Sequence, residues 1–184
     1  MPQIQFNSFP NLQTERLILR PLRQEDLDSL FKLHSDKKNA RFIDRDIPEN
    51  SKETLLFLEK IQKGIAENQW LFWAIEEKEQ SLFLGTICIW NFSAHGLKAE
   101  VGFELAASFQ RKGYMTEALQ AVQEYGFEKL GLHRLEARTH SQNAAAIHLL
   151  EETGFEYRET NLETSNKTGS AEPITIFSQT NKSL

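Results

Sequence analysis

The run "FQRKGYMTEAL", residues 109–119, sets two cations, Arg111 and Lys112, and then Gly113 between an apolar stretch and a helix-like one. The first turn of a helix leaves backbone N–H groups without intrahelical partners, and its dipole favours negative charge there. Gly113 lets the chain turn tightly and lets a ligand approach the backbone with no Cβ in the way. These types at this spacing describe a cradle for a phosphate or diphosphate. A solvated loop with a turn glycine is the plain alternative. The run has neither the denser glycines of a dinucleotide fingerprint nor the Gly-Lys-Ser/Thr ending of a phosphate loop. Just upstream, "AEVGFEL" puts Glu100, Gly102 and Glu104 on one strand face and Val101, Phe103 and Leu105 on the other. Two carboxylates beside a bound reactant are candidates for moving a proton, with Glu136 in "RLEAR" a third. Solvated or ion-paired carboxylates are the alternative for each. Cys88, the single cysteine, lies in the apolar run "LGTICIW" and reads as a structural thiol rather than a nucleophile.

Positioning these groups requires a strand that ends where a helix begins, and the sequence supplies that frame. "LILRPL" alternates as a first strand closed by Pro21. "QEDLDSLFKLH" spaces Leu27, Leu30, Phe31 and His34 on one helical face, with Glu25 and Asp26 near its positive end. A second helix follows "PENSKE", where Asn50 caps and Glu53 completes a capping-box spacing. "WLFWAIEE" and "SLFLGTICIWNF" make a hairpin across "KEQ". "AEVGFEL" is the next strand, followed by a helix with Met115, Leu119, Val122 and Gly126 on one face. "HRLEART" is a strand, and "NAAAIHLLEETGF" is a helix stopped by Gly154 with Phe155 packing back. "FEYRET" and "PITIF" close the chain. The order is β-α-α-β-β-β-α-β-α-β-β, an α/β fold with a mixed, mostly antiparallel sheet and helices on both faces.

With 184 residues, 40% hydrophobic and 26% charged, the chain fits one domain with a real core. The boundaries read as an N-terminal extension, residues 1–11, and a single domain, residues 12–184. A net charge of −5 offers no global field for nucleic acid or an anionic membrane, so a bound anion must be met by a local device. No apolar run reaches the length of a membrane span, and no basic-then-apolar start signals export. The expected place is the cytoplasm, where the glycosylation-like triplets "NFS", "NKT" and "NKS" are chance matches and one free cysteine is unremarked. No residue cluster calls for a metal.

The order of two motifs, "AEVGFELAASFQRKGYMTEAL" and then "HRLEARTHSQNAAAIHLLEETGF", together with "TERLILRPL" near the start, resembles the GNAT superfamily of acetyl-CoA-dependent N-acetyltransferases and its RimJ/RimL-type branch. The likeness runs from about Leu12 to the end. The family pattern Gln/Arg-x-x-Gly-x-Gly/Ala falls on Gln110, Arg111, Lys112, Gly113 and Tyr114, and departs at Met115. The resemblance implies that backbone groups of Phe103, Glu104 and Leu105 hold the pantetheine arm of acetyl-CoA and polarise its thioester. It implies that Arg111, Lys112, Gly113, Tyr114, Met115 and Thr116 wrap the pyrophosphate. Asn143 matches a residue that bonds the cofactor's arm, while by itself it reads as an N-cap. The chemistry implied is direct attack by a neutral amine, with a preorganised oxyanion site and a base. Glu100 stands where this branch has a glutamate and is the first candidate base, with Glu104 the second. Leu150 occupies the position of a tyrosine that protonates the thiolate in many relatives, and Ala146 that of a serine; Ser141, His140 or water are the substitutes open to it. His148 reads as a surface or packing residue.

An α-amine, with a pKa of about 7.8, is far more often neutral at pH 7 than a lysine near 10.4, a difference of roughly 3.5 kcal/mol in deprotonation. A sparse site therefore suits a protein or peptide N-terminus. A small-molecule amine (polyamine, amino acid or drug-like) is the second reading, and a non-catalytic acetyl-CoA-binding module the third. The segments "RFIDRDIPEN" and "NLETSNKTGSAE" read as the lips of the acceptor site, and their Asp44, Asp46, Glu49, Glu163 and Glu172 hint at cationic partners. A second copy of the chain, as a homodimer, is an admissible partner.

Overall fold

The computed structural model describes residues 8–182, so most of the expected N-terminal extension and the serine of "NKS" lie outside the described residues. Among the described residues, eight strands form one sheet in the order β1-β2-β3-β4-β5-β6-β8-β7. These are β1 (Leu12–Gln13), β2 (Leu17–Pro21), β3 (Leu71–Glu77), β4 (Leu82–Trp90), β5 (Lys98–Leu105), β6 (Arg134–His140), β7 (Glu156–Thr164) and β8 (Ala171–Thr180). Every neighbouring pair is antiparallel except β5 and β6. The helices are α1 (Leu27–Ser35), α2 (Lys37–Ala40), α3 (Ser51–Ala66), α4 (Tyr114–Glu124) and α5 (Ala144–Glu152). The expected order holds. It gains β1 and α2, two and four residues long, too short to leave a periodic signal.

Alternation along the strands divides the sheet into two unlike faces. Leu19, Trp73, Ile75, Ile87, Ile89, Val101, Leu135, Ala137 and Phe177 lie on one face and pack with Met115, Ala118, Leu119 and Val122 of α4 and Leu150 of α5. Phe9 joins them edge-on to Trp73, and the Trp73 indole N–H donates to the Pro10 carbonyl at 2.7 Å, so the chain is docked before β1 begins. On the other face, α1 and α3 bury a smaller cluster of Leu22, Leu30, Leu33, Leu58, Ile61 and Ala74. That face also carries charge. Arg20, 7% exposed, donates to both Asp26 oxygens at 2.7 Å and to Glu76 at 2.5 Å. Hydrogen bonding to Asp26, then to Glu76, outweighs desolvation and raises the guanidinium's pKa further. Asp26 thus does more than complement the helix dipole: it also accepts from the Arg23 N–H at 2.8 Å and fixes the entry to α1.

Helix ends follow the sequence closely. Asn50 Oδ1 accepts from the Glu53 N–H at 3.2 Å, while Glu53 reaches back to the Glu49 N–H at 3.1 Å, one residue beyond the usual reciprocal partner, the N–H of Asn50 itself. Gly154 takes a φ of 89°, and the Phe155 N–H closes on the Leu150 carbonyl at 2.9 Å, with Phe155 buried.

Candidate active site

β5 and β6 pair at Lys98↔Arg134, Ala99↔Leu135 and Glu100↔Glu136, and there the pairing ends. Beyond it β5 runs on to Leu105 against β4, and β6 runs on to His140 against β8. The sheet therefore opens as a wedge with its apex at Glu100 and Glu136. Phe103 and Leu105 turn their side chains into the main core, leaving backbone for the wedge. A Cβ at Gly85, opposite Leu105, would stand 2.1 Å from the Glu104 carbonyl oxygen, so only glycine lets β5 lie this close to β4. The far end of β5 is pinned: the Leu105 carbonyl accepts from Asn39 Nδ2 at 3.1 Å and Gln110 Nε2 at 2.9 Å.

From that pinned end the chain passes to the mouth of α4. Arg111 and Gly113 take left-handed φ values of 60° and 79°, and α4 starts at Tyr114 with no side chain capping its first turn. Arg111 and Lys112 are exposed beside those N–H groups. Met115 is 7% exposed and sunk in the core, so the departure from the small residue of the family pattern leaves the mouth clear, and Met115 can offer a ligand its backbone alone. Tyr114 and Thr116 are half-buried.

Three residues that sequence reasoning passed over brace this mouth. Glu117, in the first turn, would repel an anion. It is instead turned to Thr14 Oγ1, to the Arg16 N–H at 2.8 Å and to Arg16 Nε at 2.7 Å. Desolvation would raise its pKa, but these bonds outweigh it and hold the carboxyl below its usual range. Arg16 also donates to the Lys112 carbonyl at 3.0 Å and lies 4.5 Å from the Tyr114 ring centroid. The signal was in plain view, since Thr14 and Arg16 belong to "TERLILRPL" and Glu117 to "FQRKGYMTEAL".

On the charged face, Glu100 accepts from Asn91 Nδ2 at 2.6 Å and is half-buried at the apex. Glu136 lies across from it, 3.6 Å from Arg134. Glu104 is gripped by Arg45, with contacts of 2.7 Å and 3.2 Å. His34 Nε2 is 4.0 Å from the same carboxylate, but burial pushes the imidazole down to about 4, so at neutral pH this is no ion pair. Between the glutamates, Gly102 leaves room beside Cys88: an added Cβ would stand 3.3 Å from Sγ. Part of Cys88 reaches the surface, yet desolvation of its sulfur pushes the thiol up to about 12, which leaves it protonated and unreactive.

The other lip is formed by the end of β6 and the start of α5. Asn143 Oδ1 accepts from the Ala146 N–H at 3.3 Å, and its Nδ2 donates to Thr139 Oγ1 at 3.1 Å, so the capping role is filled. Leu150 is fully buried in the core, Ala146 is 8% exposed, and His148 is on the surface. His140 Nδ1 accepts from the Gln142 N–H at 3.1 Å, with the ring 5.5 Å from Phe42.

The two expected lips are tied to each other. Asp44 accepts from the Asn166 N–H at 3.0 Å, Ser165 Oγ at 2.7 Å and the Lys167 N–H at 3.0 Å, which holds its carboxyl below the usual range. Glu163 pairs with Arg138, and Glu172 accepts from Thr168 Oγ1 at 3.1 Å. Much of the acidic character that hinted at cationic partners is thus used within the protein.

Among the described residues no three His, Cys, Asp or Glu side chains gather as a metal would require, and no helix is long and apolar enough to cross a membrane. Residues 16–156 match the family described as acetyltransferase (GNAT) domain. The chain is 29% identical over 148 residues to the N-acetyltransferase YoaA of Bacillus subtilis (strain 168), covering 80% of this chain and 84% of that one. It is 30% identical over 145 residues to the N-acetyltransferase p20 of Bacillus licheniformis, covering 79% and 82%. In fold it is similar to spermidine N-acetyltransferase from Vibrio cholerae, solved with CoA and spermine, at a TM-score of 0.79 and 22% identity over 91% of this chain and 96% of that one. It is equally similar to the ribosomal α-N-protein acetyltransferase RimL in complex with coenzyme A, at a TM-score of 0.79 and 16% identity over 93% and 98%.

Proposed function

Because the chain belongs to the GNAT family of acetyltransferases, we propose that this N-acetyltransferase takes its acetyl group from acetyl-CoA and delivers it to the α-amine of a peptide or protein N-terminus. The observation that carries the reading is the wedge between β5 and β6 opening beside an uncapped helix mouth. The mouth fits a diphosphate: it offers first-turn N–H groups, the exposed Arg111 and Lys112, a glycine where a side chain would intrude, and a Glu117 already neutralised by Arg16. In this reading Arg111 to Thr116 hold the pyrophosphate, the backbone of Phe103, Glu104 and Leu105 aligns the pantetheine arm, and Asn143 faces that arm while capping α5. The bound thioester supplies the acetyl group. Residues 12–184 form the catalytic unit, onto which Phe9 and Pro10 pack.

The two carboxylates take different roles. Glu100, at the apex and held by one neutral amide, is placed to accept the ammonium proton directly or through water. Glu104, gripped by a guanidinium, positions Arg45 instead. Leu150 has no proton to give the departing thiolate, and Ser141, His140 or water on the opposite lip takes that part. An α-amine suits this sparse equipment because it deprotonates near neutral pH. The likeness to RimL supports this reading, and the likeness to the spermidine enzyme favours a small-amine acceptor as the second one.

The test is to follow free-thiol release from acetyl-CoA with unblocked peptides, the same peptides N-terminally blocked but carrying lysine, and polyamines. Unblocked peptides are expected to be the fastest acceptors. Turnover of polyamines with none of any peptide would replace the first reading by the second.

A further inference from the structure

The segment that follows α2 touches both strands of the wedge. Arg45 donates to Glu104 on β5 at 2.7 Å and 3.2 Å. The Phe42 ring lies 5.5 Å from the His140 ring on β6, centroid to centroid. Glu104 and His140 each stand four residues past Glu100↔Glu136, the last paired position of the two strands, and by alternation they share its charged face. Residues 42–45 therefore cross the wide end of the wedge from one strand to the other, as a strap.

The strap is fastened beyond the wedge. The turn between β7 and β8 is closed by its own bonds: the Ser165 N–H donates to the Ser170 carbonyl at 2.9 Å, the Gly169 N–H to the Ser165 carbonyl at 2.9 Å, and the Thr168 N–H to Ser165 Oγ at 3.2 Å. This turn gives Asp44 four donors, the Asn166 and Lys167 N–H groups at 3.0 Å, Ser165 Oγ at 2.7 Å and Asn166 Nδ2 at 2.8 Å. Lys167 Nζ adds a bond to the Ala40 carbonyl at 3.0 Å. Asp44 is exposed, yet a carboxylate collecting four donors from a preformed turn is a catch rather than a solvated charge.

We propose that Asp44 is a positioning residue for acetyl transfer: seated in that turn, it holds residues 42–45 across the wide end of the wedge and keeps water from the thioester. The inference rests on the reading that the chain transfers acetyl from acetyl-CoA, and it adds how the acetyl group is protected. Protection is needed because a carboxylate that takes a proton from an ammonium can also take one from water. The water oxygen then attacks the carbonyl carbon and the C–S bond breaks, giving acetate and free CoA thiol with no amine acetylated. Covering a site against bulk water prevents such a side reaction. The strap spans the wide end alone, so the apex, where Glu100 stands, is left for the amine.

The experiment measures free-thiol release from acetyl-CoA with no amine present, and again with a saturating amine, in the wild type and in Asp44→Ala. The amine-free rate should rise about three- to tenfold, the change in strap opening expected from losing one net hydrogen bond. Acetate should be the product, with CoA affinity unchanged. A merely structural Asp44 would instead lower the melting temperature and both rates together. An amine-free rate no higher in Asp44→Ala overturns the proposal. If that variant does not fold, Asn166→Ala with Lys167→Ala, which removes two side-chain ties from the other side of the catch, takes its place in the same comparison. The amine-free assay needs no acceptor, so peptides that fail as acceptors while the variant still gains hydrolysis would sink the peptide reading and keep the strap.

Discussion

The two faces of the sheet are built on opposite principles. Beneath α4 and α5 the core is predominantly apolar, with Leu17, Leu19, Leu119 and Val122 fully buried. Its contribution to the site is backbone: a strand edge and a helix mouth held in place by packing. Beneath α1 and α3 the apolar cluster is smaller and shares its space with Arg20, Asp26, His34 and Glu104. Its contribution to the site is side chains, held by charge and hydrogen bonds. On the proposed function, the cofactor would be held mainly by the first face and the amine's proton handled on the second. A change on the apolar face should cost stability first, and a change on the charged face should cost rate or selectivity first.

The largest expected effect tests the charged face. Glu100→Gln should lower kcat by about a hundredfold or more while CoA affinity and melting temperature hold, as steady-state rates and a thermal melt will show. Full activity would remove Glu100 as the base. On the apolar face, Leu119→Ala should lower unfolding free energy by about 2–5 kcal/mol in denaturant titrations. A loss well under 1 kcal/mol would mean that α4 is not held by this core. Reversing both cations, Arg111→Glu with Lys112→Glu, should weaken CoA binding by about tenfold or more at low salt, with the gap narrowing as salt is added. Unchanged affinity by calorimetry would remove the cradle.

The smallest effect is a pH dependence. His34 is held at about 4 when folded, against 6.5 in its ordinary state, so the unfolded chain binds the proton first. The stability tied to neutral His34 is present above pH 6.5 and is lost as pH falls toward 4. Melts between pH 7 and 5 should show the loss beginning above the carboxylate range, and His34→Phe should flatten it. A slope identical in both proteins would detach His34 from that behaviour.

Much of this division was legible from residues alone. Alternation in "AEVGFEL" separated Glu100, Gly102 and Glu104 from Val101, Phe103 and Leu105, because strand geometry enforces a period of two. Gly113 before a periodic run marked the helix mouth, and Asn50 and Gly154 marked helix ends, because caps are local chemistry. Contacts between distant segments were not legible. Arg45 reaches Glu104 across 59 positions, Arg16 reaches Glu117 across 101, and Asp44 reaches Asn166 across 122. No spacing rule links such pairs.

The sequence by itself determined the element order, the apolar face of each helix and the chemical types available at the strand end, since each follows from neighbours within a turn or two of chain. Tertiary structure alone decided which glutamate is gripped by a guanidinium and which is left at the wedge's apex. It also decided that Met115 turns inward and that His34 is buried beside Phe57. Those outcomes depend on where α1, α3 and segment 41–50 come to rest against β5, and a chain fixes such distances only when it packs.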